Sequence, residues 1–113
     1  MKTAINGPNN QPFAALTIAS ADAFTPAWSL YQMYGYAMQA IWTSGINGIV
    51  KIQASIDGVT WSDITGTPQA IAGSAGDFIW NVPTAMYQFA RLYYANSSSS
   101  TGTITVNAES KGP

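Results

Sequence analysis

The chain has 113 residues, 47% of them apolar, with four Lys and Arg, five Asp and Glu, and no histidine or cysteine. That length and apolar content fit one folded domain with a sizeable core, while disulfides, a histidine base and the commonest metal ligand are excluded. Charged residues are only 8%, against roughly 25% in an ordinary soluble domain, and the four basic ones, Lys2, Lys51, Arg91 and Lys111, are scattered, which argues against a phosphate-tracking groove and so against nucleic acid.

Residues 1–12, with Gly7, Pro8, Asn9, Asn10 and Pro12, read as an extended N-terminal arm that orders against a neighbour. No apolar stretch follows Lys2, so no signal peptide is expected, and no apolar run is long enough for a membrane span. A β-domain is expected over 13–108. FAALTIA (13–19) is a weak first strand with Leu16 and Ile18 on one side. A connector follows, and WSLYQMY (28–34) fits either a strand start or a crossing at one end of the domain. YAMQAIWT (36–43) is a strand with Tyr36, Met38, Ala40 and Trp42 on one face. The turn residues 44–48 predict a hairpin into the next strand.

That strand, 49–56, alternates Val50, Ile52, Ala54 and Ile56 with Lys51, Gln53 and Ser55, so one face is buried and the other wet. Asp57-Gly58 supplies a turn that accepts positive φ, and Trp61 is expected to fold back over the core edge. Short strands follow at 61–64 and 69–72, then DFIWNV (77–82) with Phe78, Trp80 and Val82 on one side. A link at 83–87 has room for one helical turn. QFARLYY (88–94) separates Phe89, Arg91 and Tyr93 from Ala90, Leu92 and Tyr94. After the serine loop 97–100, TGTITVNA (101–108) turns Ile104, Val106 and Ala108 inward, and 109–113 is a C-terminal tail. Seven or eight short strands and no long amphipathic helix define an all-β, single-domain antiparallel β-sandwich, with a jelly roll as its expected form.

Catalytic chemistry finds no footing. Serines are many, but no His or Cys base accompanies them, and no spacing favours a Ser-Lys pair with Lys51 or Lys111. Asp57 is explained by its turn. Asp63, two residues after Trp61, reads either as a turn flank or as the polar partner of a sugar platform, and Asp57 with Asp63 makes one cation site conceivable. No catalytic residue, cofactor or metal site is therefore expected. Trp42 and Trp80 are expected in the core. Tyr31, Tyr34 and Tyr93 are the expected exposed aromatics and, with Trp61 and Asp63, form the candidate interface or glycan contact. Arg91 shares its face with Phe89 and Tyr93, so it either snorkels to water or pairs with a carboxylate, Asp77 being the candidate.

Taken together, GYAMQAIWTSG, VKIQASIDGVTWSDITG, DFIWNV, YQFARLYY and TGTITVNA, spanning about residues 35–108, resemble the small β-sandwich virion structural proteins of bacteriophages. The resemblance implies a non-enzymatic capsid or capsid-decoration component located in the virion. Its partners would be other virion proteins and copies of itself, as a homo-oligomer, trimer or pentamer. The hairpin Ser55-Ile56-Asp57-Gly58-Val59-Thr60-Trp61 is also similar to those of discoidin-type, galactose-binding jelly rolls. That second resemblance implies the alternative, a carbohydrate-binding module that meets a cell-surface glycan through exposed aromatics near Trp61.

Overall fold

The computed structural model describes residues 3–5, 14–30 and 33–111. Every helix or strand among them is a strand: β1 (Thr3–Ile5), β2 (Ala14–Ala19), β3 (Ala23–Phe24), β4 (Trp28–Ser29), β5 (Gly35–Trp42), β6 (Asn47–Ser55), β7 (Ser62–Asp63), β8 (Gln69–Ala72), β9 (Gly76–Val82), β10 (Phe89–Asn96) and β11 (Thr101–Lys111). They form two antiparallel sheets. In sheet A, β1 and β2 share one flank of β11, followed by β5 and then β9. In sheet B, β3 and β4 share one flank of β10, followed by β6, whose far flank carries β7 and β8. Counting each interrupted edge as one strand gives eight. Their orders are first, eighth, third, sixth and second, seventh, fourth, fifth, the connectivity of a jelly roll.

The alternation in the sequence explains the core. Tyr36, Met38, Ala40 and Trp42 of β5, Val50 and Ile52 of β6, Ala90, Leu92 and Tyr94 of β10, and Ile104, Val106 and Ala108 of β11 all turn inward and are buried. Each large side chain removed from water contributes about 1.5–3 kcal/mol. Trp42 and Trp80 are in this core as expected, and each indole N–H has an acceptor: Ser74 O at 3.1 Å and Thr67 O at 2.7 Å.

Both edges of sheet B are broken at the same level, and each break is closed by a buried threonine. Between β3 and β4, the Thr25 hydroxyl accepts the Leu92 N–H at 3.1 Å. Between β7 and β8, the Thr67 hydroxyl accepts the Ile52 N–H at 3.1 Å and donates to Ile64 O at 2.7 Å. Leu92 and Ile52 are direct cross-strand partners. The two hydroxyls therefore satisfy amides that edge strands would otherwise have taken.

Several local expectations are corrected. Residues 44–48 do not form a hairpin, because β5 lies in sheet A and β6 in sheet B. The segment crosses the end of the sandwich and plugs it with fully buried Ile46. Gly48 is needed there, since a Cβ would lie 2.1 Å from the Ala95 carbonyl oxygen. The inward run of β6 stops at Ile52. Ser55 is buried instead, and Ile56 is 76% exposed. Residues 83–87 hold no helical turn. At the chain ends, Thr3–Ile5 pairs with the last three residues of β11, so Glu109–Lys111 are strand rather than tail. The remaining arm residues, Phe13 and the last two residues lie outside the described set.

Candidate ligand-binding face

The outer face of sheet B follows from register alone. Asp63, Gln53 and Arg91 are successive partners across β7, β6 and β10; two residues away, Lys51, Tyr93 and Phe24 are successive partners across β6, β10 and β3. A separation of two residues puts both rows on the same face. The side chains are connected. Lys51 Nζ donates to Asp63 Oδ2 at 2.8 Å, Gln53 Nε2 donates to Asp63 Oδ1 at 2.9 Å, and Arg91 Nε donates to Gln53 Oε1 at 2.8 Å. At the other flank, the Tyr93 hydroxyl and the Asn96 amide each donate to Asp22 at 2.8 Å.

Aromatic rings close around this network. The Phe24 and Tyr93 rings stack with centroids 5.9 Å apart and planes 2° from parallel. The Arg91 guanidinium carbon lies 4.3 Å from the centroids of both Phe24 and Trp61 and 5.7 Å from that of Tyr93, while Lys51 Nζ is 5.5 Å from the Tyr93 ring. Such cation–π contacts contribute about 0.5–2 kcal/mol according to exposure.

The loop over residues 56–61 delivers Trp61. Asp57 Oδ1 accepts the Val59 and Thr60 amides and the Ser55 hydroxyl, at 2.8, 2.8 and 2.9 Å, and the Ser55 hydroxyl in turn accepts the Gly58 amide. Gly58 has φ +80° and approaches the Phe89 ring too closely for a relaxed side chain. The loop thus covers Phe89 and walls one end of the face. Beside it lies an open groove of about 440 Å³ lined by Ser55, Ile56, Asp57, Thr60 and Tyr87.

The electrostatics follow these bonds. The Thr60 and Val59 amides hold Asp57 at about 2. Lys51 and then Gln53 lower Asp63, and the Asn96 amide and then Tyr93 lower Asp22. The bond to Asp22 raises Tyr93. Burial draws Arg91 down, although a guanidinium keeps its proton throughout the working range.

Of the expected site residues, Trp61, Asp63 and Tyr93 share this face. Tyr34, 53% exposed, lies in the link before β5 and joins none of its contacts, and Tyr31 lies outside the described residues. Trp61 is a partly exposed partner of Arg91 rather than a lid on the core edge. Arg91 does not pair with Asp77, which sits in the other sheet opposite Ile41. Asp57 and Asp63 are bound to separate partners and do not converge. Lys51, Gln53, Phe24 and Asp22 were not anticipated as members. The polar positions of β6 and β10 signalled the first two, while Phe24 and Asp22 left no pattern in sequence.

No protein-family model matches the chain, and no curated protein matches it in sequence. Solved structures do share its fold. The PBSX exported protein XepA superposes with a TM-score of 0.66 at 9% identity, over 99% of this chain and 37% of XepA. The chain thus spans little more than a third of that protein. The SPBc2 prophage-derived protein YomS gives a TM-score of 0.54 at 8% identity, over 86% of this chain and 90% of YomS. The N-terminal cellulose-binding domain of Cellulomonas fimi β-1,4-glucanase C gives 0.53 at 10% identity, over 88% of this chain and 77% of that domain. At these identities the likeness establishes a β-sandwich fold common to phage-derived and carbohydrate-binding proteins.

Proposed function

We propose that this chain is a non-enzymatic structural component of a phage particle, a capsid or capsid-decoration protein that assembles through contacts with copies of itself and other virion proteins. One observation carries the reading, the outer face of sheet A. Its rows run Asp77, Ile41, Thr105, Ala15, then Ile79, Gln39, Asn107, then Asn81, Ala37, Glu109. Asp77 and Glu109 sit in different rows, the row between them carries no charge, and the register continues past Glu109 to Lys111 opposite Gly35. Ile79, on the edge strand β9, and Ile41, on the neighbouring β5, are both exposed on this face. The neutral middle of the face lacks the charge that keeps monomers apart, and a closed ring of copies would cover it. That the phage-derived proteins XepA and YomS share the fold supports the phage part of the reading. The test is sedimentation of the purified chain beside Ile41→Lys/Ile79→Lys, together with its recovery in intact particles. The reading expects a closed oligomer that the double variant reduces to monomer. A wild-type chain that stays monomeric at high concentration and is missing from particles would overturn it.

A second reading, a glycan-binding module, is favoured by the aromatic and hydrogen-bonding side chains gathered on the outer face of sheet B. The two readings are compatible, since they use opposite faces of one sandwich.

A further inference from the structure

Resting on that second reading, we infer that the outer face of sheet B binds an acidic saccharide and that Arg91 receives its carboxylate or sulfate. A guanidinium has five N–H donors. Only Nε of Arg91 is engaged, by Gln53 Oε1; the four donors on the terminal nitrogens meet no acceptor among the described residues, and neither nitrogen is among the buried atoms left without a partner. They belong to a half-buried group that is packed on three sides. Phe24 and Trp61 are stacked against it, and Gln53 is itself fixed through Asp63 to Lys51. Such a fork, already oriented, matches two oxygens of one anionic group.

The charge is also unmet. Asp63 forms its ion pair with Lys51, and both oxygens of Asp22 are taken by Tyr93 and Asn96. Arg91 is partly desolvated by burial and has no carboxylate of its own among the described residues.

The surroundings select the kind of anion. Lys51 and Arg91 are balanced by Asp22 and Asp63, so the face as a whole offers a polyanion no attractive field. A ligand with one acidic group and many hydroxyls meets the opposite situation. Its anion finds Arg91, its hydroxyl protons find the unused lone pairs of Asp22, Asp63 and Gln53, and its ring C–H groups find Phe24, 54% exposed, and the partly exposed Trp61.

The experiment titrates the full chain with matched probes, each with a single acidic group: methyl galacturonide against methyl galactoside, sialyllactose against lactose, and monosulfated lactose against lactose. Amide and Arg Nε–H resonances report binding into the low millimolar range. The inference expects at least one acidic probe to bind ten or more times tighter than its neutral partner, with the Arg91 Nε–H signal shifting. Arg91→Gln should abolish that preference, and Arg91→Lys should restore only part of it because the fork is lost. Following the Arg91 signal in the wild type keeps the test independent of how the variants fold. Equal binding of acidic and neutral partners would overturn the acidic assignment and leave the glycan reading standing. An acidic preference that survives in Arg91→Gln would overturn the role of Arg91. Silence toward every probe would remove both the inference and the reading beneath it.

Discussion

The two outer faces of the sandwich are made by the same two-residue alternation, yet they differ in almost every physical respect. Sheet A presents Ala, Thr, Gln, Asn and Ile in rows whose carboxylates, Asp77 and Glu109, lie two rows apart. On this face Asn107 Nδ2 donates to Gln39 Oε1 at 3.4 Å. Sheet B gathers Asp22, Lys51, Asp63 and Arg91 on one side; a chain of short hydrogen bonds through Gln53 joins Lys51, Asp63 and Arg91, Asp22 is held by Tyr93 and Asn96, and three aromatic rings lie against the group. In a chain with so few charges, this distribution is informative. Side chains linked to one another in this way suit recognition of a small ligand, whereas neutral ones suit burial against another surface.

The largest effects should come from the stitching that supports sheet B. Thr67→Val and Thr25→Val each keep the shape of the side chain but leave the Ile52 or Leu92 amide buried without an acceptor. Each should lower unfolding stability by about 1–3 kcal/mol, measured by urea titration. Thr105→Val, on the outer face of sheet A, changes the same atoms where no such bond is made and should stay within about 0.5 kcal/mol. Equal losses at all three positions would mean that the interrupted edges are not what the threonines sustain.

Next in size, and sharper as a comparison, is a crossed pair of variants. Ile41→Lys/Ile79→Lys should change association while leaving ligand binding intact. Gln53→Ala should do the reverse, because it releases Arg91 Nε and breaks the link to Asp63 and Lys51. The exposed bond to Asp63 and the part-buried bond from Arg91 lost in Gln53→Ala should together cost about 1–2 kcal/mol of stability. Sedimentation and probe titration on both variants give a two-by-two result, and a variant that alters both readouts would erase the distinction between the faces.

Much of this was legible in the sequence, for a simple reason. Strands whose inner residues are strongly apolar, such as β5 and β10, declare their buried face directly, and short strands separated by turns imply a sandwich. What stayed hidden was decided between strands. The turn residues 44–48 look the same whether the chain doubles back or crosses to the other sheet. The crossing depends on Ile46 filling the end and on the close approach of Gly48 to Ala95. Ile56 continues the apolar alternation in sequence, but the Asp57 turn consumes the Ser55 hydroxyl, ends the strand and leaves Ile56 in water. At the site, Trp61, Asp63 and Tyr93 stood out by residue type. Their meeting with Arg91 and Phe24 depended on the register of β6, β7 and β3 against β10, which no local pattern encodes. Arg91 was recognisable as anomalous, yet its partners turned out to be rings and an amide rather than a carboxylate.

The smallest effect concerns the loop that walls the sheet B face, and its sign is fixed by the direction of the pKa. Asp57 is held at about 2 by the Thr60 and Val59 amides and the Ser55 hydroxyl, below the value of about 3.9 of an unfolded aspartate. The folded loop therefore favours the charged carboxylate. Its contribution is fully present above pH ~3.9 and disappears as pH falls through about 2. Asp22 and Asp63, also lowered, act in the same direction. The unfolding temperature should accordingly fall between pH 4 and pH 2. Asp57→Asn retains an oxygen that can accept the two amides but cannot titrate, so its unfolding temperature should decline less steeply over that interval. The variant should also stay below the wild type at pH 6, where the charged acceptor makes the stronger bonds. Parallel curves for the two proteins would mean that the acid sensitivity arises from other carboxylates. In that event, the loop that positions Trp61 would owe its shape to Gly58 and the packing of Phe89 rather than to the charge on Asp57.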